Sequence, residues 1–259
     1  MSRPIKTFIY SDYPSGSLNI SAIREYLARY GFQTEDRGNV ISFLELSNDS
    51  LTSIAEILSG AVVDDISSDI TKLSVPNSAQ VNSEMNRLLG RENTEGVLYD
   101  GYWLERIFHR ALSERVLLEL GDDYLHLIFT SRLFGTFEDR RYHARVVLTG
   151  VPSLISTSGL IEAPAKPREY YFIKGGLIQS GKEVGVLDEM YKGRFVEYDD
   201  PKISSILCSY ALQAVFYHMS GKAFCDNKAC CLYNSHWQED VLRVQYEGMP
   251  CDECLELIK

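Results

Sequence analysis

Five of the six cysteines in this 259-residue chain lie close together near its end: Cys225, Cys230, Cys231, Cys251 and Cys254. Two of the pairs, Cys225-x4-Cys230 and Cys251-x2-Cys254, have the spacing of metal knuckles, with about twenty residues between them. Two short loops that each offer a pair of thiolates can surround one tetrahedral Zn²⁺ without strain. Whatever else the chain does, its fold must bring these loops together. The expectation is one structural zinc per chain, held by Cys225, Cys230, Cys251 and Cys254. Cys231 stands beside Cys230 and could replace it as ligand, while Cys208, on a predicted helix, reads as a small buried hydrophobe. An iron–sulfur cluster is disfavoured because the run of closely spaced cysteines is missing. Disulfides would require export, and the opening MSRPIKTFIYSDYP has no apolar leader pattern, so the expected location is the cytoplasm.

Composition is that of an ordinary globular chain, 45% hydrophobic and 24% charged. A net charge of −10 argues against nucleic acid as a partner, since phosphate contacts call for clustered Lys and Arg. The basic cluster Arg140, Arg141, His143 and Arg145 is explained by paired surface charges. No apolar run is long enough for a membrane span.

Periodicity predicts strand (5–10), helix (20–31, stopped by Gly31), strand (39–46) and helix (50–63), a β-α-β opening. Residues 71–96 read as a polar surface connection with one short helix. A helix begins after Tyr99, with Trp103, Ile107 and either Phe108 or Ala111 inward. DYLHLIFTSRL and HARVVLTGVPSLIS read as strand groups, and EAPAKPREYY, with Pro164 and Pro167, as a stiff extended segment. Glycines 175, 176, 181, 185 and 193 suggest a loop-rich excursion. In the last helix, 203–220, Ile203, Ile206, Leu207, Tyr210, Ala211, Ala214 and His218 form one apolar face and Gly221 is the stop. The expected fold is α/β, a twisted mixed sheet with two or three helices on one side. Its parts are 1–70, the connection 71–96, a core 97–224 and a cysteine lobe 225–259.

The C-terminal third resembles the archaemetzincin branch of the metzincin zinc proteases. There, H-E-x-x-H-x-x-G-x-x-H-C on a helix runs into a C-x4-C knuckle, with C-x2-C near the chain end. AVFYHMSGKAFC occupies that frame: His218 matches the second histidine, Gly221 the turn glycine, and Cys225, Cys230, Cys251 and Cys254 the structural zinc ligands. The YDG at Tyr99–Gly101 and the strands LHLIFTSRL and HARVVLTGVPSLISTSG follow in matching order. TFEDRRYHARV, STSGLIEAPAKPREYY and FCDNKACCLYNSHWQED also resemble an archaeal family described as metallopeptidases. The likeness implies a metzincin-like sheet with flanking helices and a C-terminal four-cysteine zinc lobe.

The departures bear on activity. Ala214 stands where the resemblance places the first histidine, Val215 where it places the general-base glutamate, and Phe224 where it places the third histidine. A hydrolytic zinc needs three protein ligands, an open water position and a carboxylate, and these three side chains supply none of that. A site rebuilt elsewhere would draw on His218, His236, His143 and Glu162, with Glu169, Glu239 or Asp240 as further carboxylates and Arg168 for an anion. No pair among them has the i, i+4 spacing that puts two ligands on one helix face. The expected function is therefore a non-catalytic, metzincin-like zinc-binding protein whose former protease cleft binds a peptide, protein or small ligand. Two alternatives stand beside it: a metal-dependent hydrolase with a relocated active site, and a subunit or assembly factor of a larger archaeal complex that docks through STSG and EAPAKPREYY.

Overall fold

The structure, a computed structural model, describes residues 5–12 and 18–258. Residues 1–4 and 13–17, within or beside the stretch read above for a leader, lie outside them.

Two apolar strands with strict alternation set the centre. β1 (Lys6–Ser11) sends Phe8 and Tyr10 to one face and Ile9 to the other. β4 (Tyr124–Thr130) sends Ile128 to the first face and Leu125, Leu127 and Phe129 to the second. Both faces are therefore apolar and both must be covered. Helices α1 (Ile20–Arg29) and α9 (Ile203–Ser220) cover the second face. The first is covered by α2 (Val40–Leu44), α3 (Asn48–Gly60) and α5 (Gly101–Val116). Helices thus flank both sides of the sheet, where the sequence suggested one.

The main sheet has five strands, ordered β2-β1-β4-β8-β7, with β2 at Gln33–Asn39, β7 at Val147–Leu148 and β8 at Ser153–Ser156. β2, β1, β4 and β8 run parallel, and β7 pairs antiparallel at the edge. A second sheet, β3-β5-β6, joins Leu98–Asp100, Leu133–Glu138 and Arg141–Arg145. Among the described residues, no helix is long and apolar enough to cross a membrane.

Several local expectations change. The apolar run at 39–46 is the short helix α2, and the strand is the polar QTEDRGN before it. β2 lies at a sheet edge with a half-exposed face, so it needs little apolar surface, and Asn39 caps Ser42 N (2.9 Å) and turns the chain into a helix. In α5 the buried stripe is Leu104, Ile107, Phe108, Ala111 and Leu112. Trp103 is half-buried and donates its indole N–H to the Ile70 carbonyl (3.1 Å). EAPAKPREYY starts at the end of α6 (Thr157–Glu162) and is non-helical only over 163–167, with Ala165 bridging to Trp237; α7 (Arg168–Gln179) begins directly afterwards. The glycine-rich excursion is a pair of helices, α7 and α8 (Gly185–Met190), closed over a small core of Tyr170, Leu187, Tyr191 and Phe195. STSG is largely buried, with Thr157 and Ser158 retaining a small exposure.

One polar network sits inside this apolar frame. Arg132, 2% exposed, pairs through Nη1 with Asp12 (3.1 Å) and through Nη2 with Glu84 (2.6 Å) of α4 (Ser78–Leu88). Glu84 also accepts from the Tyr99 hydroxyl (2.7 Å). Asp12 accepts from Ser131 N (3.0 Å) and from the Thr130 hydroxyl. Removing the cation leaves two buried carboxylates facing each other. Arg132→Ala is expected to cost about 3–5 kcal/mol, against less than ~0.5 kcal/mol for Arg110→Ala in the exposed Arg110–Glu114 pair. Urea denaturation midpoints of the two variants check this.

His126, fully buried on β4, supplies a pH-dependent contribution. Its Nε2 donates to the Glu119 carbonyl (2.9 Å) and its Nδ1 accepts from the Tyr10 hydroxyl (3.0 Å). Burial holds the imidazole below its ordinary range, and the nearby Arg37 and His218 act in the same sense. As pH falls below about 6.5 the unfolded chain takes up a proton that the folded chain resists, so stability declines with acid. His126→Gln should make the denaturation midpoint less sensitive to pH between neutrality and the mildly acid range.

Candidate metal centre

Helix α9 ends where Gly221 adopts a left-handed conformation (φ 71°) and returns its N–H to the Tyr217 carbonyl (2.7 Å). The chain then enters the first knuckle. Cys225 N donates to the Leu232 carbonyl (2.9 Å) and Cys230 N to the Asn227 carbonyl (3.0 Å), fixing a tight loop. The second knuckle is held against it by Cys231 N to the Met249 carbonyl (3.2 Å). Cys254 lies on α11 (Asp252–Leu257), which packs under α9.

The ligand atoms of Cys225, Cys230, Cys251 and Cys254 all lie within 4.8 Å of one another. Cys225 and Cys251 sulfurs are 3.7 Å apart, and those of Cys230 and Cys254 are 3.8 Å apart. Zn–S bonds of about 2.3 Å give tetrahedral edges of roughly 3.8 Å, so the cavity fits that ion. All six cysteines are free thiols. Two sulfurs already accept backbone N–H groups, Cys225 from Asn227 (3.4 Å) and Cys230 from Cys251 (3.4 Å), which favours thiolates. Cys230 is drawn down to about 4, chiefly by the neighbouring Cys231 thiol and then by the Leu232 and Cys251 N–H groups. Burial pushes Cys225 up to about 11 and Cys254 higher still. Burial opposes thiolates at Cys225 and Cys254, and a cation is what would allow four thiolates together. The arrangement is closed, with four protein donors and no open position.

Cys231 stands apart from the group of four. Its sulfur lies 3.9 Å from the Tyr26 hydroxyl of α1, so it belongs to the packing between α1 and the knuckle. Cys208 is 4% exposed against α1, with its thiol 3.8 Å from the Ala22 carbonyl. Among the described residues, the four cysteines are the one set of three or more His, Cys, Asp and Glu ligand atoms gathered closely enough for a common ion.

The other candidates are dispersed. His218 donates Nε2 to the Asp122 carbonyl (2.8 Å), fastening the end of α9 to the start of β4. His143 on β6 has Nε2 3.2 Å from the Glu138 carbonyl. Glu162 is exposed and accepts from the Tyr198 hydroxyl (3.2 Å). His236 is exposed on the wall of a small groove of about 60 Å³, which runs beside residues 144–147 at the sheet edge and also touches Tyr210 and Phe224. In this groove the buried Ser235 hydroxyl has no hydrogen-bond partner. Ala214 and Val215 are wholly buried in the core.

Sequence reasoning passed over a second concave region, a cavity of about 400 Å³ reached by Ser131, Arg132, Thr157 and Ser158. Its only sequence signal was polar residues directly after strongly apolar strands: Asp12 after β1, and Ser131-Arg132 after β4.

Residues 3–258 match a family described as "Probable metallopeptidase family (DUF6775)". Among solved structures, the chain is similar to archaemetzincin from Methanopyrus kandleri, with 10% identity, 99% of this chain and 94% of that chain covered, and a TM-score of 0.45. It is also similar to a zinc-dependent peptidase from Methanocorpusculum labreanum strain Z, with 13% identity, 98% and 100% covered, and a TM-score of 0.47. No curated protein matches.

A structural role for His218 makes a simple prediction. His218→Ala should lower stability by about 1 kcal/mol, the usual worth of one hydrogen bond, and leave the thiol cluster unaltered. Equilibrium denaturation together with thiol titration of the native protein checks both parts.

Proposed function

This chain belongs to the probable metallopeptidase family, and from that premise we propose that it is a zinc-stapled member without hydrolytic chemistry at the metzincin-like frame, its edge groove receiving an extended peptide. The observation that carries the zinc reading is the four-sulfur geometry, whose 3.7 and 3.8 Å edges suit one tetrahedral ion. Bound there, zinc would supply a crosslink between the two knuckles, closing the base of α9 against its tail. Structural sites of this kind contribute folding free energy directly.

The reading of lost hydrolysis rests on α9. Hydrolysis by a metal-bound water needs ligands and a base that face an open cleft. Ala214 and Val215 have no exposure and no donor atoms, and His218 spends its Nε2 on Asp122. The peptide reading is supported by the sheet edge: β7 lies at the end of the strand order, and Val147 of β7 lines the groove together with Ser235 and His236. Strand addition at a sheet edge needs backbone hydrogen bonds and a few side-chain pockets, and no metal.

Elemental analysis of the full chain tests the first part. One zinc per chain is expected in the native protein and in Cys231→Ser. Cys251→Ser/Cys254→Ser should lose it, with a clear fall in thermal midpoint. A second zinc that survives the double substitution, together with cleavage of a fluorogenic peptide mixture, would replace this reading with that of a relocated active site.

A further inference from the structure

The crossover from β1 through α1 to β2 goes one way from β1, and the rest of the sheet, beginning with β4, grows the other way. The carboxyl ends of β1 and β4 therefore mark a topological switch point, where open parallel sheets leave a crevice for small ligands. Asp12 follows β1 and Ser131-Arg132 follow β4 at that rim. The 400 Å³ cavity opens there, walled by the segment after α4 and by Tyr198-Asp199 ahead of α9. It borders Ile203, the first residue of α9, whereas the thiol cluster follows the other end of that helix.

The lining is chemically two-sided. Arg132 is fixed by Asp12 and Glu84 through its outer nitrogens, and its buried Nε has no hydrogen-bond partner. Arg132 lines the cavity, and this Nε lies buried behind that lining. Beside it the Thr157 hydroxyl donates to the Thr130 carbonyl (3.3 Å) and the Ser158 hydroxyl to the Ser131 carbonyl (2.8 Å). With their protons committed, both oxygens can only accept from a ligand. The walls repeat the division: Arg91 is cationic, Glu95 and Asp199 are anionic, and none of the three makes a side-chain hydrogen bond or ion pair among the described residues. A fully anionic ligand would meet the carboxylates and the acceptor oxygens, and a simple cation would meet the guanidinium groups.

We infer that this cavity binds a small zwitterion with a free amine and a free carboxylate, an amino acid or dipeptide. The carboxylate turns to Arg91, on the cationic side of the cavity that Arg132 also lines, and the ammonium to Asp199, Glu95 and the Thr157 and Ser158 oxygens. The site is independent of the zinc reading, since no knuckle residue lines it.

Calorimetry and thermal unfolding of the full chain test this with four probes: alanine, alanyl-alanine, N-acetyl-alanyl-alanine amide and inorganic phosphate. At least one uncapped zwitterion should bind saturably and raise the thermal midpoint, while the capped peptide and phosphate do neither. Arg91→Gln and Asp199→Asn should each weaken that binding by about tenfold, the loss expected for one charge-assisted hydrogen bond. Both positions are exposed, and Asn tolerates the left-handed backbone of residue 199 (φ 65°), so circular dichroism and zinc content should match the parent. No binding by either zwitterion at millimolar concentration would overturn the inference. Equal binding of the capped peptide, competition by phosphate, or unchanged affinity in both variants would overturn it as well.

Discussion

The fold depends on the burial of one helix. From Ile203 to Phe216, every residue of α9 but the exposed Ser205 is buried: they fill the core against β4, β8 and α1, and even Ser209 and Gln213 are enclosed. At about 1.5–3 kcal/mol for each large apolar side chain removed from water, this helix is a main source of cohesion. A helix buried on all sides must have both ends secured by other means, because its terminal carbonyls cannot be left without partners. Gly221 and His218 secure one end, and the knuckles that follow draw the tail back beneath it. The thiol cysteines belong to the same apolar cluster as the helix, so the metal-binding geometry and the core form one continuous body.

That burial also constrains which residues can stand at positions 214 and 215. A hydrolytic helix must keep one face polar and open to water. Here Ala214 and Val215 pack as core residues, and no ligand can be restored at those positions without placing a polar group among apolar neighbours. The concave regions lie elsewhere: a groove at the sheet edge beside β7, and a cavity at the rim where the parallel strands β1 and β4 end. Arg132 lines the second. A guanidinium held by two buried carboxylates is fixed in place.

The parts that were legible in the sequence rest on local rules. The apolar runs FIY and LHLIFT marked the two central strands, Gly31 and Gly221 marked helix ends, and the cysteine spacing pointed to the four thiols that lie together. The misplaced elements share a different cause. QTEDRGN is a strand because an edge position tolerates polar residues, and VISFL is a helix because Asn39 caps it beside a partly formed core. Residues 168–179 form a helix despite two glycines because Tyr170 packs on Leu187, Tyr191 and Phe195, which lie well downstream. Propensity is a weak guide wherever such contacts decide the outcome.

The sequence by itself determined that the cysteines of two short knuckles could share an ion, that Ala214, Val215 and Phe224 carry no donor atoms, and the α/β class, because each follows from residue identity and short spacing. Tertiary structure alone decided that Cys230 rather than Cys231 joins the cluster, and that His218, His143, His236 and Glu162 do not converge. It also brought Asp12, Glu84 and Arg132 together around one guanidinium. Those outcomes depend on which elements lie side by side and which way each side chain points: Asp12 and Arg132, 120 positions apart, meet because β1 lies beside β4, and Glu84, 48 positions from Arg132, is brought in by α4.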